Sequence, residues 1–138
     1  MTHRVFLVED HELMRTVMQE FVDDLPETEV VGTADSGEQA LKVLASMTAN
    51  RPHVLLVDVS LPGMSGIDLV RDVSHRWPDI SCVMLSGHLR PSYVERAFAA
   101  GARGYVRKGK PTEVDAAIRH VLAGGRYTSE SLKPLAQE

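Results

Sequence analysis

Sulfur chemistry is almost missing from this chain: of its 138 residues only Cys82 is a cysteine. A lone thiol closes no disulfide, and its place in Cys82-Val83-Met84-Leu85 fits a small buried side chain in a reducing compartment. Excess positive charge is missing too. The 15 Lys and Arg stand against 19 Asp and Glu, a net charge of -4, whereas phosphate backbones require a basic surface, so this segment is not expected to bind nucleic acid itself. No apolar run approaches the roughly 20 residues of a membrane-crossing helix. Met1-Thr2-His3-Arg4 leads into the first apolar segment without a signal-peptide core, so a cytoplasmic location without a membrane partner is expected. Repeats and low-complexity tracts are absent, and the six histidines lack metal-ligand spacing, with only His11 lying beside an acidic pair.

What is present is an ordinary globular composition, 43% hydrophobic and 25% charged, at a length that suits one domain able to bury a sizeable core. Val5 to Val8, Val54 to Val57 and Cys82 to Leu85 are short, continuous apolar runs, the pattern of parallel strands buried on both faces. The stretches 29–33 and 104–107 are more mixed and predict strands at the sheet edges. Between them, Leu13, Met14, Val17, Met18, Phe21, Val22 and Leu25 form a two-column helical stripe, and Val114, Ala117, Ile118, Val121 and Leu122 repeat at i, i+3, i+4, i+7, i+8. Ser36 with Gln39 and Ser92 with Glu95 have capping-box spacing, while Ser65 or Gly66 opens a helix that Pro78 ends. Strand and helix alternate five times. The expected fold is α/β: a doubly wound, five-stranded parallel sheet of order 2-1-3-4-5 with five helices on its two faces. Residues 1–124 form the domain, and 125–138, after Gly124-Gly125, read as a linker or the start of a further element.

Such a sheet binds ligands beyond the carboxyl ends of its strands, at the switch point between strands 1 and 3. Glu9, Asp10 and Asp58 all fall there. Three converging carboxylates repel unless a cation lies between them, and an all-oxygen set favours Mg2+ or Mn2+. Ser86 and Lys108 end the fourth and fifth strands on the same rim, adding a hydroxyl and an ammonium. A carboxylate nucleophile, a Lewis acid and two donors suit the capture of a phosphoryl group as an acyl phosphate. Asp58 is then nucleophile and metal ligand, one of Glu9 and Asp10 binds the metal directly and the other through water, and Ser86 and Lys108 hold the phosphoryl oxygens.

Four segments carry a family resemblance: Val8-Glu9-Asp10-His11; the loop 56–66 with Asp58 and Leu61-Pro62-Gly63-Met64-Ser65-Gly66; Leu85-Ser86-Gly87; and 101–108 ending in Lys108. Together they closely resemble the receiver domain of two-component response regulators, over about residues 4 to 124. The resemblance implies the flavodoxin-like receiver fold and a phosphoacceptor signalling domain, not a turnover enzyme, with self-catalysed phosphorylation and dephosphorylation. It implies Asp58 as acceptor from the phosphohistidine of a sensor histidine kinase, and Mg2+ held by Glu9, Asp10, Asp58 and the backbone carbonyl of Ser60. It further implies a switch in which Ser86 moves toward the phosphoryl group and Tyr105 turns inward behind it. Homodimers through the first and fifth helices, or through the fourth helix, fifth strand and fifth helix, are both compatible.

The region 123–132 is similar to the end of receivers in NarL and LuxR type transcription regulators, which implies DNA contact only through an output domain not contained in these 138 residues. A standalone receiver acting by protein–protein interaction is the alternative. Departures from family usage are Glu9 where Asp is frequent, and Gly109 after Lys108 where many relatives carry a proline with a cis bond. Ser60 and His88 occupy positions that influence dephosphorylation. Three other functions share the sheet or the chemistry. A flavodoxin-like electron carrier needs a hydroxyl-rich loop where Glu9-Asp10-His11-Glu12 would repel a flavin phosphate. An aspartyl phosphohydrolase often has a second acid where Ser60 stands. A degenerate receiver would have lost part of the acidic and basic set.

Overall fold

The computed structural model describes residues 2–87 and 90–129. The chain order is β1 (His3–Val8), α1 (Glu12–Asp24), β2 (Thr28–Ala34), α2 (Gly37–Ser46), β3 (Val54–Asp58), α3 (Gly66–Arg76), β4 (Ser81–Ser86), α4 (Pro91–Ala100), β5 (Gly104–Arg107), α5 (Pro111–Leu122) and β6 (Tyr127–Thr128). All neighbouring pairs are parallel, in the order β2-β1-β3-β4-β5-β6. The 2-1-3-4-5 core and its five helices match the expectation from alternating strand and helix patterns.

Alternation along each strand divides the interior into two layers. Phe6, Val8, Leu55, Val57, Cys82, Met84 and Tyr105 point toward α2, α3 and α4, whereas Val5, Leu7, Val54, Leu56, Val83, Leu85 and Val106 point toward α1 and α5. Because helices cover both faces, the central strands are apolar at every position instead of every second one. Cys82 lies in the first layer, and burial pushes its thiol up to about 12, so it is an inert core group.

Helix ends follow the local chemistry at two of the expected places. Ser36 accepts from the Gln39 N–H at 3.1 Å while the Gln39 side chain returns to the Asp35 N–H at 2.9 Å, and Ser65 accepts from the Asp68 N–H at 3.1 Å. Ser92 does not cap α4. That helix begins at Pro91, with Arg90 as its boundary, two residues before the expected cap, and the proline stands in its first turn, where a missing N–H costs nothing. The α1 stripe is also only half used: Met18 and Val22 are buried, but Leu13 is 77% and Val17 51% exposed. Two apolar columns are wider than the strip of α1 that reaches the sheet.

A sixth strand corrects the five-stranded expectation. Residues 127–128 pair with β5, so β5 is an inner strand and not an edge. The Tyr127 N–H donates to the Arg103 carbonyl at 3.0 Å and the Ser129 N–H to the Tyr105 carbonyl at 2.9 Å. Ser129 is fully buried. Its hydroxyl donates to Glu113 Oε2 on α5 at 2.8 Å and accepts from the Arg107 N–H at 3.1 Å, and Arg126 lies over the Phe98 ring of α4 at 5.2 Å. Residues 126–129 thus bind α4, β5 and α5 together; 130–138 lie outside the described residues.

Ser129→Ala removes a buried hydroxyl with two partners, and is expected to lower unfolding stability by about 1–2 kcal/mol. The measurement is a urea transition, whose midpoint should fall with its slope unchanged. An unaltered midpoint would mean that this segment adds nothing to the fold.

Candidate functional site

The strand register brings the carboxyl ends of β1, β3, β4 and β5 to one rim, and the polar residues of the sequence are concentrated there. Asp58 is the last residue of β3 and Ser86 the last of β4; Glu9 follows β1 and Lys108 follows β5. Glu9, Asp58 and Ser86 are all buried, at 1–2% exposure. Between them the Lys108 ammonium lies 2.8 Å from Glu9 Oε1 and 2.8 Å from Asp58 Oδ2. The Lys108 N–H donates to the Ser86 carbonyl at 2.8 Å, which fixes the base of the lysine side chain to the end of β4.

Asp58 is held at both oxygens. Oδ2 meets Lys108, and Oδ1 accepts from the Ser60 N–H at 3.0 Å. The loop that carries this N–H turns tightly under the strand: the Gly66 N–H donates to the Val59 carbonyl at 3.1 Å, and a Cβ on Gly66 would collide with the Asp58 carbonyl oxygen. Glycine at the start of α3 therefore sets how closely that helix approaches the strand end. After Lys108 the chain bends through Gly109 at φ 88°, a left-handed conformation that glycine adopts without strain, and the peptide bonds among the described residues are trans. The bonds after Lys108 and Lys110 are thereby assigned, without the cis proline geometry common in the family.

Glu9, Asp10, His11 and Asp58 offer ligand atoms that all lie within 4.8 Å of one another. Asp10 is partly exposed and His11 exposed. The Asp10 Oδ1 and Glu9 Oε1 atoms are buried without a hydrogen bond of good geometry, Oε1 having the Lys108 ammonium as its charge partner. Buried carboxylate oxygens with free lone pairs suit a hard divalent cation, so the donor set fits one. His11 stands 3.4 Å from both Glu9 Oε2 and Asp10 Oδ1.

Burial pushes the Glu9 carboxyl above its ordinary range; the Lys108 hydrogen bond works against this and the Asp58 charge reinforces it. For Lys108, burial would lower the ammonium, but its bonds and charge attraction to Asp58 and Glu9 outweigh that and raise it. Tyr105, on β5, is fully buried in the α3–α4 layer, so its ring is turned inward. Burial raises its phenol, the nearby Ser86 side chain opposing the shift, and the Tyr105 hydroxyl makes no hydrogen bond of good geometry among the described residues.

Glu9, Asp10, Asp58, Ser86 and Lys108 lie at this rim, Tyr105 lies within β5 and faces the α3–α4 layer, and one expected contact is not seen among the described residues. The exception is the Ser60 carbonyl: the recorded contact of Ser60 is its N–H, on Asp58. His88 lies outside the described residues. Arg15, unremarked in the sequence, donates to the Glu9 carbonyl at 2.9 Å from the first turns of α1. A six-residue separation across a strand-to-helix turn offers no periodic signal that would have revealed it.

A match to known proteins now decides the family: the response regulator receiver domain covers residues 5–119. The chain belongs to that family. This receiver is 36% identical to the response regulator UvrY of Escherichia coli strain K12 over 129 residues, covering 93% of the chain and 58% of the relative. It is 37% identical to the response regulator GacA of Pseudomonas aeruginosa over 130 residues, covering 94% and 59%. The receiver thus spans less than two thirds of these curated relatives. Among solved structures, a LuxR-family two-component response regulator from Aurantimonas sp. SI85-9A1 aligns with a TM-score of 0.91 at 29% identity, over 99% of this chain and 96% of that one. The isolated receiver of RcsB from Salmonella enterica, solved with the phosphomimetic BeF3-, shares the fold with a TM-score of 0.86 at 24% identity, over 98% and 99%.

A carboxyl that holds its proton more tightly when folded contributes stability at low pH, and that contribution is lost as pH rises through its folded pKa. With a chelator present, Glu9→Gln should therefore gain on the parent as pH rises from 4.5, the ordinary value, through the raised value of the folded state. Urea midpoints of the two proteins across that interval check this. A constant difference would mean that the Glu9 proton is no tighter in the fold than outside it.

Proposed function

We propose that this receiver takes a phosphoryl group onto Asp58 from the phosphohistidine of a sensor histidine kinase, and that small phosphodonors serve as well. The observation that carries the reading is the Lys108 ammonium placed between the Asp58 and Glu9 carboxylates. An Asp58 oxygen forms the new bond to phosphorus as the bond to the donor nitrogen breaks, and the electron pair leaves on the imidazole, which is then protonated. Among the described residues the two acids are the partners of the Lys108 ammonium, so it can transfer a contact to a phosphoryl oxygen while keeping its tie to Glu9. Ser86, at the end of β4, supplies the hydroxyl for another oxygen.

Glu9, Asp10, Asp58 and the Ser60 backbone carbonyl are the groups that would hold Mg2+. When bound, the ion would screen the carboxylates and withdraw charge from the phosphoryl oxygens. The Ser60 N–H on Asp58 Oδ1 keeps the carboxylate from rotating freely. Ser86 and Tyr105 form the switch in this reading: Ser86 ends the strand beside β5, and the Tyr105 hydroxyl is buried without a hydrogen-bond partner among the described residues, so it is available to follow a displacement of Ser86.

The output surface we assign is α4, β5 and α5, with α1 and α5 as the second candidate for self-association. The similarity to UvrY and GacA supports a transcription regulator in the cytoplasm, whose DNA contact is made by sequence beyond this receiver. No helix among the described residues is long and apolar enough to cross a membrane.

Acetyl phosphate with Mg2+ should add one hydroxylamine-sensitive phosphate, observed as a mass increase, and Asp58→Asn should abolish it. Lys108→Ala should reduce the labelling rate by about a hundredfold or more, the scale for loss of one preorganised charge donor. Labelling that survives in Asp58→Asn would place the acceptor elsewhere.

A further inference from the structure

At the pole opposite Asp58, where the strands begin, three arginines cluster. A cavity of about 340 Å3 opens there between Arg4, Arg51, His53, Arg76, Trp77 and the following turn. The arginines are positioned by specific contacts. Arg4 Nε donates to the carbonyls of Asn50 at 3.2 Å and Arg51 at 3.0 Å, and Arg51 Nε donates to the Leu44 carbonyl at 3.0 Å. The Arg51 and Arg76 guanidiniums lie 5.0 and 4.4 Å from the Trp77 ring centroid, within the range of cation–π attraction.

These contacts fix the guanidiniums without neutralising them. Among the described residues, the salt bridges involve none of Arg4, Arg51 and Arg76, although Asp79 borders the same cavity. In a chain of net charge -4, carboxylates are plentiful, yet none of them forms a salt bridge with this cluster among the described residues. Mutual repulsion of neighbouring cations is relieved by an anion between them. His53 adds a neutral donor: its Nδ1 accepts from the Arg4 N–H at 2.9 Å, which leaves the proton on Nε2. Burial first, and then the Arg4 and His3 charges, hold its pKa down, so the ring does not join the positive cluster.

We propose that this cleft is a binding site for a compact polyanion, a small molecule bearing a diphosphate group, held by Arg4, Arg51 and Arg76, the last two resting against Trp77. The planar forks of guanidinium match the oxygens of phosphate. The cavity lies at the low end of the volumes that hold small ligands, which suits a diphosphate better than an extended chain. The site is separate from the acidic rim, so its occupancy does not depend on Asp58.

The structure also supplies the probe, since Trp77 is the only tryptophan and two of the proposed ligand groups rest beside its ring. The full chain is titrated with inorganic pyrophosphate in Mg2+-free buffer at constant ionic strength, following Trp77 fluorescence and backbone amide shifts. A saturable change centred on residues 51–53 and 76–80 is expected. Arg51→Gln and Arg76→Gln should each weaken binding by about tenfold, the effect of losing one charged hydrogen-bonding group. Arg76 is exposed and has only its ring contact, so that variant keeps the test valid if loss of the Arg51 tie to α2 disturbs folding. No saturable change up to about 5 mM pyrophosphate, the weak limit for a specific small-ligand site, would overturn the proposal. So would undiminished binding in Arg76→Gln, equal binding of citrate, or binding of duplex DNA alone.

Discussion

Two carboxylates buried side by side are unstable unless a cation joins them, and here that cation is Lys108. Glu9 and Asp58 lie almost wholly out of water at the ends of adjacent strands. Desolvation of an unpaired charge costs several kcal/mol, so the position of Lys108 is a condition for closing the rim as well as for its chemistry. The lysine reaches that position because β5 delivers it there and because its own N–H is fixed to the end of β4. The parallel order of the sheet, the tight turn at Gly66 and the bend at Gly109 all serve this one placement. It is also a placement that can change, since an ammonium flanked by two acids exchanges partners at less expense than a bidentate arginine would.

The same strand that carries the lysine carries Tyr105. Alternation sends the Tyr105 ring into the α3–α4 layer while Val106 enters the α1–α5 layer. One short segment therefore addresses both faces of the sheet and leads into the acidic rim. Receiver signalling needs that economy, because an event on a buried carboxylate must be felt on an exposed helix. Ser86 ends the neighbouring strand, next to β5 and at the acidic rim.

Much of this was legible in the sequence because it rests on local patterns. Apolar runs ending in acids identify buried strands and the rim together, and the serine caps at Ser36 and Ser65 follow from three-residue spacing. The parts that escaped depend on partners distant in the chain. β6 is two residues long, too short for any periodicity, and is held by a serine that meets a glutamate 16 residues earlier. The Arg15 bond to Glu9 has no periodic basis. On α1, the columns of apolar residues looked equivalent, and only the distance from helix to sheet decides that Leu13 and Val17 remain outside. At Ser92 a valid cap motif yielded to the proline just before it, since a fixed backbone angle selects the helix start more strongly than a hydroxyl does.

The short β6 strand gives the domain a mechanical character. A continuation pulled parallel to the sheet would load the β5–β6 bonds together, in shear, whereas a pull away from the sheet would peel them in succession. Peeling is resisted by the Tyr127 and Ser129 amides, the Ser129 hydroxyl, the Tyr127 contacts with Glu113 and His120, and Arg126 over the Phe98 ring. The last described turn of chain is thus a tab that holds against sliding and yields to lifting. Its line of attachment runs beside Tyr105, where a small shift of the strand would change the angle at which the tab leaves.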